Sequence, residues 1–322
     1  MTGVQTCALP IYFANTIGLR EGIRILGDVN AGGTPLTLRQ VRDVILDDLT
    51  VRENNNAGLT LRNAEAVTLR RVDSSSNGGS GMNGGRLVDV LLDRCTANDN
   101  NWRGFMGGYV GWSVAGIKLT RLDGVTFDRL ITNGNHCSGL WFDIWGQFIR
   151  LQEFESIDNQ LAGINIEWQQ GPIYIADSHI EGNGMGIALA AAANVWIEQT
   201  RIIGNGTQFT MRRDKRTPMG NFVLKHNVIA SQPERIPGAH QAGNDKGQPT
   251  LEDAQGRKRI PAYLYWVPEQ PGYATESQPL FMATEEDPWA TFVETLQAEG
   301  NQWYHPTIRR PFLDADRFPI SF

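Results

Sequence analysis

What is scarce in this chain narrows it first. Three cysteines stand among 322 residues, Cys7, Cys95 and Cys137. None has CxxC spacing, so neither a disulfide framework nor a cysteine zinc site is supported. No run of eighteen apolar residues exists, which excludes a membrane-spanning helix. Basic residues form no run and the formal net charge is -6. A nucleic-acid partner, which needs a basic stripe, is therefore not expected. His179, His226, His240 and His305 are dispersed without metal-ligand spacing, so no metal is expected from them. Helical periodicity is missing over most of the chain as well.

Glycine and asparagine are what is abundant. The 35 glycines and many Asn imply turns at close intervals. Asn54, Asn77, Asn100, Asn135, Asn159, Asn183 and Asn205 follow one another at intervals of 23, 23, 35, 24, 24 and 22 residues. Four residues after most of them a glycine opens a strand: Gly58, Gly81, Gly139 and Gly163. Short alternating runs lie between the marks, such as Val67-Thr-Leu69, Val88-Asp-Val90 and Val195-Trp-Ile197. Before the regular period, strands are expected from Gly22, at 36–38 and at 44–46. Each coil should carry about three short strands. A period of roughly 20 to 30 residues with strands and no helix specifies an all-β solenoid. Stacked Asn side chains would form a ladder along one turn, because Asn tolerates the left-handed region and bonds locally. The L-x-x-L-x-L-x-x-N string of leucine-rich repeats is absent.

With this repeat, residues from roughly 20 to 230 resemble the right-handed parallel β-helix proteins of the pectate-lyase-like superfamily. The resemblance implies a right-handed parallel β-helix. It is poor in function, since that superfamily includes lyases, hydrolases, epimerases and phage adhesins. It also implies an extracellular or periplasmic location.

The chain divides accordingly. Residues 1–11 read as a translated sequencing-adapter oligonucleotide fused to the reading frame, and Cys7 goes with them. Residues 12–230 form the β-helix. Residues 231–322 form a C-terminal excursion and cap, expected to be truncated. The cap includes a short helix over 287–296, with Asp287 as N-cap and Pro288 at the first position. It would cover an open solenoid end. Asn301 to Tyr304 would add a last strand.

The interval of 35 marks an insertion of about twelve residues within 101–115, carrying Trp102, Arg103, Phe105, Tyr109 and Trp112. Loops that break a repeat usually carry function. Beside it, N-H-C-S-G-L-W-F-D-I-W from Asn135 and N-Q-L-A-G-I-N-I-E-W from Asn159 superimpose on their Asn and Gly. Alternation then places Leu140, Phe142, Ile164 and Ile166 inward and Trp141, Asp143, Asn165 and Glu167 outward. Adding the preceding coil gives two outward ladders, Lys118–Trp141–Asn165 and Thr120–Asp143–Glu167.

Strand spacing of roughly 4.8 Å would hold the Asp143 and Glu167 carboxyls about 5 to 6 Å apart, near the separation of a retaining glycosidase pair. Stacked like charges raise the pKa of one and suit it to act as an acid. The bland alternative is a solvated acidic ladder or a cation site. Trp102, Trp112, Trp141, Trp145 and Trp168 would surround the carboxylates and stack on sugars, with Arg103, Tyr109 and Asn165 as further contacts. Otherwise Trp145 and Trp168 simply pack on turns. His136 could orient a carboxylate or shuttle a proton, or be an ordinary turn histidine. Lys118 could bind a uronate or, once its pKa is lowered, act as a lyase base.

Three functions follow, all with a polysaccharide or oligosaccharide partner. The first is a glycoside hydrolase using Asp143 and Glu167, without a cofactor. The second is a polysaccharide lyase or uronate epimerase using Lys118 or His136, with Ca²⁺ on a carboxylate. The third is a non-catalytic glycan-binding or adhesion solenoid.

Overall fold

The computed structural model describes residues 36–103, 114–212, 219–230 and 295–304, and short strands at 18–19, 23–26, 251–252, 258–259 and 265–266. Phe105, Tyr109, Trp112, residues 1–11 and most of the 287–296 helix lie outside the described residues.

Alternating apolar residues between left-handed corners wind the chain into a parallel β-solenoid of about eight turns. Leu36–Asp47, Leu59–Arg70, Met82–Asp93 and Ala115–Asp128 are continuous parallel neighbours. Where separate short strands are expected at 36–38 and 44–46, one bent strand runs through. The bends are Gln40 and Asp43, at φ 55 and 54°. They turn the chain without ending its ladder, because the flanking residues keep bonding to the next coil.

The inward column Leu59, Met82, Ile117, Leu140, Ile164, Ile187 is in register throughout. Each member is buried, contributing roughly 1.5 to 3 kcal/mol. Met82 pairs with Ile117, 35 residues on, where Leu59 pairs with Met82, 23 residues on. The extra residues therefore leave the register of the two coils unchanged. The solenoid also continues past Asn205. Gly220–Lys225 pairs with Gln297–Glu299, and Val228–Ala230 with Gln302–Tyr304, which supplies the expected last strand.

The Asn ladder is observed and buried. Asn135 Oδ1 accepts from both the backbone N–H and the Nδ2 of Asn100, at 2.9 and 3.0 Å. The same double bond links Asn159 to Asn135 and Asn183 to Asn159. The glycine that opens the strand after most of these Asn has a physical reason. A Cβ at Gly116 would lie 2.7 Å from Asn135 Nδ2, and one at Gly58 2.7 Å from Asn77 Nδ2. Only glycine leaves room for the amide of the next coil.

Candidate functional site

The register of the two outward ladders is as the superposition predicts. Lys118 pairs with Trp141 and Trp141 with Asn165, while Thr120 pairs with Asp143 and Asp143 with Glu167. Their environment differs from the expected one. Trp141 is 3% exposed rather than solvent-facing. Its ring lies under the Lys118 ammonium, with Nζ 3.3 Å from the centroid. An aliphatic stem with a cationic tip covers an indole well, so Trp141 cannot stack on a sugar. Its Nε1 is buried without a hydrogen-bond partner among the described residues.

Lys118 is 9% exposed and its Nζ meets Asp143 Oδ2 at 3.2 Å. Burial pulls the ammonium's pKa below the usual lysine value, while Asp143 and, more weakly, Glu167 oppose that shift. Desolvation thus outweighs two carboxylates. The Asp143–Glu167 pair is present as register neighbours, but a cation joins it, and the electrostatics are those of a triad.

The other predicted contacts scatter. His136 is exposed in the turn after Asn135, its N–H donating to Asn100 O at 2.9 Å and its carbonyl accepting from Asn101 at 2.7 Å. The extended strand Ser138–Asp143 separates it from Asp143 by about 20 Å, too far to orient that carboxylate. Trp102 Nε1 donates to Ser76 O at 3.1 Å, and Arg103 to Asn55 O at 3.1 Å. Both are tied to turns of the preceding coils. Asn165 and Glu167 are half-buried beside the triad. Trp168 is half-buried and packs on Trp145, with ring centroids 5.5 Å apart.

A groove of about 640 Å³ opens over Lys118 and Asp143, and its walls were not foreseen. Arg39, Arg62, Arg86 and Arg121 line it, all exposed. On its floor Gly85 stands where the preceding coil carries Arg62 and the following one Thr120. A Cβ at Gly85 would lie 2.3 Å from Thr120 Oγ1. Five cations thus converge around one carboxylate on a chain of net charge -6. The signal was in the spacing. Arg39 and Arg62 are 23 apart and Arg86 and Arg121 are 35 apart, the intervals of the Asn ladder itself.

Ca²⁺ does not fit this groove. It takes about six to eight oxygen ligands, whereas the lining offers Asp143 alone among carboxylates, already paired with Lys118. Both buried thiols are inert, that of Cys95 being pushed up to about 12 by burial and that of Cys137 also raised. No helix among the described residues is long and apolar enough to cross a membrane.

The family described as right handed beta helix region matches residues 34–205, more than half the chain. No curated protein matches it in sequence. Among solved structures it is similar to the A-module of the Azotobacter vinelandii mannuronan C-5 epimerase AlgE4. Identity is 14% and the TM-score 0.53, over 87% of this chain and 74% of that one. The A-module of AlgE6 from the same organism gives 14% and 0.51, over 84% and 78%. The surface adhesin PfbA of Streptococcus pneumoniae gives 12% and 0.48, over 71% and 64%. At these identities the likeness is one of fold.

Proposed function

The chain belongs to the right-handed β-helix family, and from that premise we propose that it binds an acidic polysaccharide in the arginine-lined groove and removes a proton from it at Lys118. The observation that carries this reading is the convergence of Arg39, Arg62, Arg86 and Arg121 around the site where Lys118 meets a single carboxylate. Cations in a fixed groove select a polymer bearing carboxylates or sulfates. The mannuronan epimerases of the same fold act, by their names, on a uronate polymer, in keeping with this choice.

The chemistry follows from Lys118. Its burial favours the neutral amine, which can take the proton from the carbon beside a uronate carboxylate. The C–H electron pair delocalises into the carboxylate, and an arginine holds the charge that develops there. A proton delivered from solvent to the opposite face gives an epimer, and Lys118 passes the abstracted proton to solvent. Expulsion of the neighbouring glycosidic oxygen gives an unsaturated lyase product. Asp143 positions the amine.

A hydrolase remains the second reading, favoured by the adjacency of Asp143 and Glu167. One assay separates the two. The protein is incubated in D₂O with uronic, sulfated and neutral polysaccharides, and deuterium at the carbon beside the carboxylate, ultraviolet absorbance and reducing ends are followed. Deuterium incorporation or absorbance on uronates supports proton abstraction. Reducing ends alone would support the hydrolase. Silence on every polymer leaves a binding solenoid and removes the catalytic role of Lys118.

A further inference from the structure

The basic groove does not end at the coil corner. Arg86 and Arg121 also line a second pocket, of about 380 Å³, on the next face of the solenoid. Two side chains are therefore a wall shared by the two cavities. Beyond the wall stand Trp145, Gly146 and Gln147. Trp145 is 52% exposed, an amount that no core role explains. With Ile144 it stands opposite Arg121, two residues against one at this corner, and its φ is 56° against 54° for Arg121.

The indole is also held in place. Its ring centroid lies 5.5 Å from that of Trp168, at an interplanar angle of 53°. That tilted contact uses one side of Trp145 and fixes the ring, so a ligand covering the open side costs little side-chain entropy. Around it Arg86, Arg121, Asp123 and Gln147 supply polar groups, and Leu87, Val88 and Leu122 supply apolar surface. An indole face rimmed by hydrogen-bonding groups suits a pyranose ring, which is apolar on its faces and polar at its edge.

Building on the acidic-polysaccharide reading, we propose that Trp145 is a sugar-stacking subsite. One chain would place its acidic residues on the arginines of the groove, cross the Arg86–Arg121 wall and lay a further ring on the indole. The ligand is thereby an oligomer long enough to occupy both cavities.

Chain length tests this. Uronate dimers and hexamers are titrated calorimetrically against wild type, Trp145→Ala and Trp145→Phe. Trp145→Ala is expected to weaken hexamer binding about tenfold, the loss of one aromatic stack. Dimer binding should be unchanged, and Trp145→Phe should keep most of the hexamer affinity. Equal hexamer affinity in wild type and Trp145→Ala overturns the subsite and leaves the groove reading standing. Equal losses for dimer and hexamer overturn it too, since the effect would not depend on reach. Failure of wild type to bind either oligomer overturns the groove reading and the subsite with it.

Discussion

Two corners of the same coil are built on one backbone plan and filled in opposite ways. At the corner before the first sheet, every turn from Asn54 to Asn205 carries asparagine, buried and bonded to its neighbours above and below. At the corner after that sheet, successive turns carry Gln40, Asn63, Arg86, Arg121, Ile144 with Trp145, Trp168 and Ala191, all at φ between 50 and 58°. The left-handed conformation costs each of these non-glycine residues about 1 kcal/mol or more. The first corner meets the same demand one residue before each asparagine, at Glu53, Ser76, Asp99, Gly134, Asp158, Gly182 and Gly204, all at positive φ, which leaves the asparagine side chains to the ladder. Where the residue repeats, the side chain completes the fold. Where it varies, the side chain is free to face a ligand, and the variation runs from cations to indoles along the solenoid axis.

The largest expected effect breaks the first corner. Asn135→Ala strands the N–H and Nδ2 of Asn100 inside the core and should lower unfolding free energy by about 3 kcal/mol. Urea unfolding measures it, and a loss below about 1 kcal/mol would show that the ladder is ornamental. Next is the residue beside the second corner. Lys118→Met should lower turnover of an acidic polymer about a hundredfold with little change in its affinity. In wild type, turnover should rise with pH through a pKa below the ordinary lysine value, because burial lowers it. In that same window the unfolded chain still holds the proton, so stability attributable to Lys118 also rises with pH. A rate independent of pH up to the ordinary lysine range would exclude the amine as base.

Smaller effects sharpen the contrast. Arg121→Ala should weaken acidic-polymer binding about tenfold and flatten its salt dependence, without lowering the melting temperature. Arg86→Gly should change stability by less than about 1 kcal/mol, since relief at positive φ offsets the entropy of glycine. The same change should cost affinity. A large stability loss from Arg86→Gly would make that corner structural after all.

These corners also explain what the sequence disclosed. The Asn and Gly marks were legible because one residue type recurs at one place, and sterics at Gly58 or Gly116 leave no substitute. The ladders through Lys118, Asp143 and Glu167 were legible because strand alternation and period fix register. The arginine groove was not. Its members differ in column and are scattered over 83 positions, from Arg39 to Arg121, so no local run announces them. Trp141 misled for another reason. Alternation gives the direction of a side chain and not what lies over it, and here Lys118 lies over it. Closeness in sequence also misplaces His136, which a strand's length separates from Asp143.

The most direct measurement is a calorimetric titration of the wild type and an Arg62→Ala/Arg121→Ala double variant. Each is titrated with a uronate polymer and with a neutral polymer of equal length, at low and high salt. Binding of the uronate alone, weakened by salt and lost in the double variant, is the expected result. Equal binding of the neutral polymer, or uronate binding that survives the double variant, would contradict the arginine groove as the recognition site.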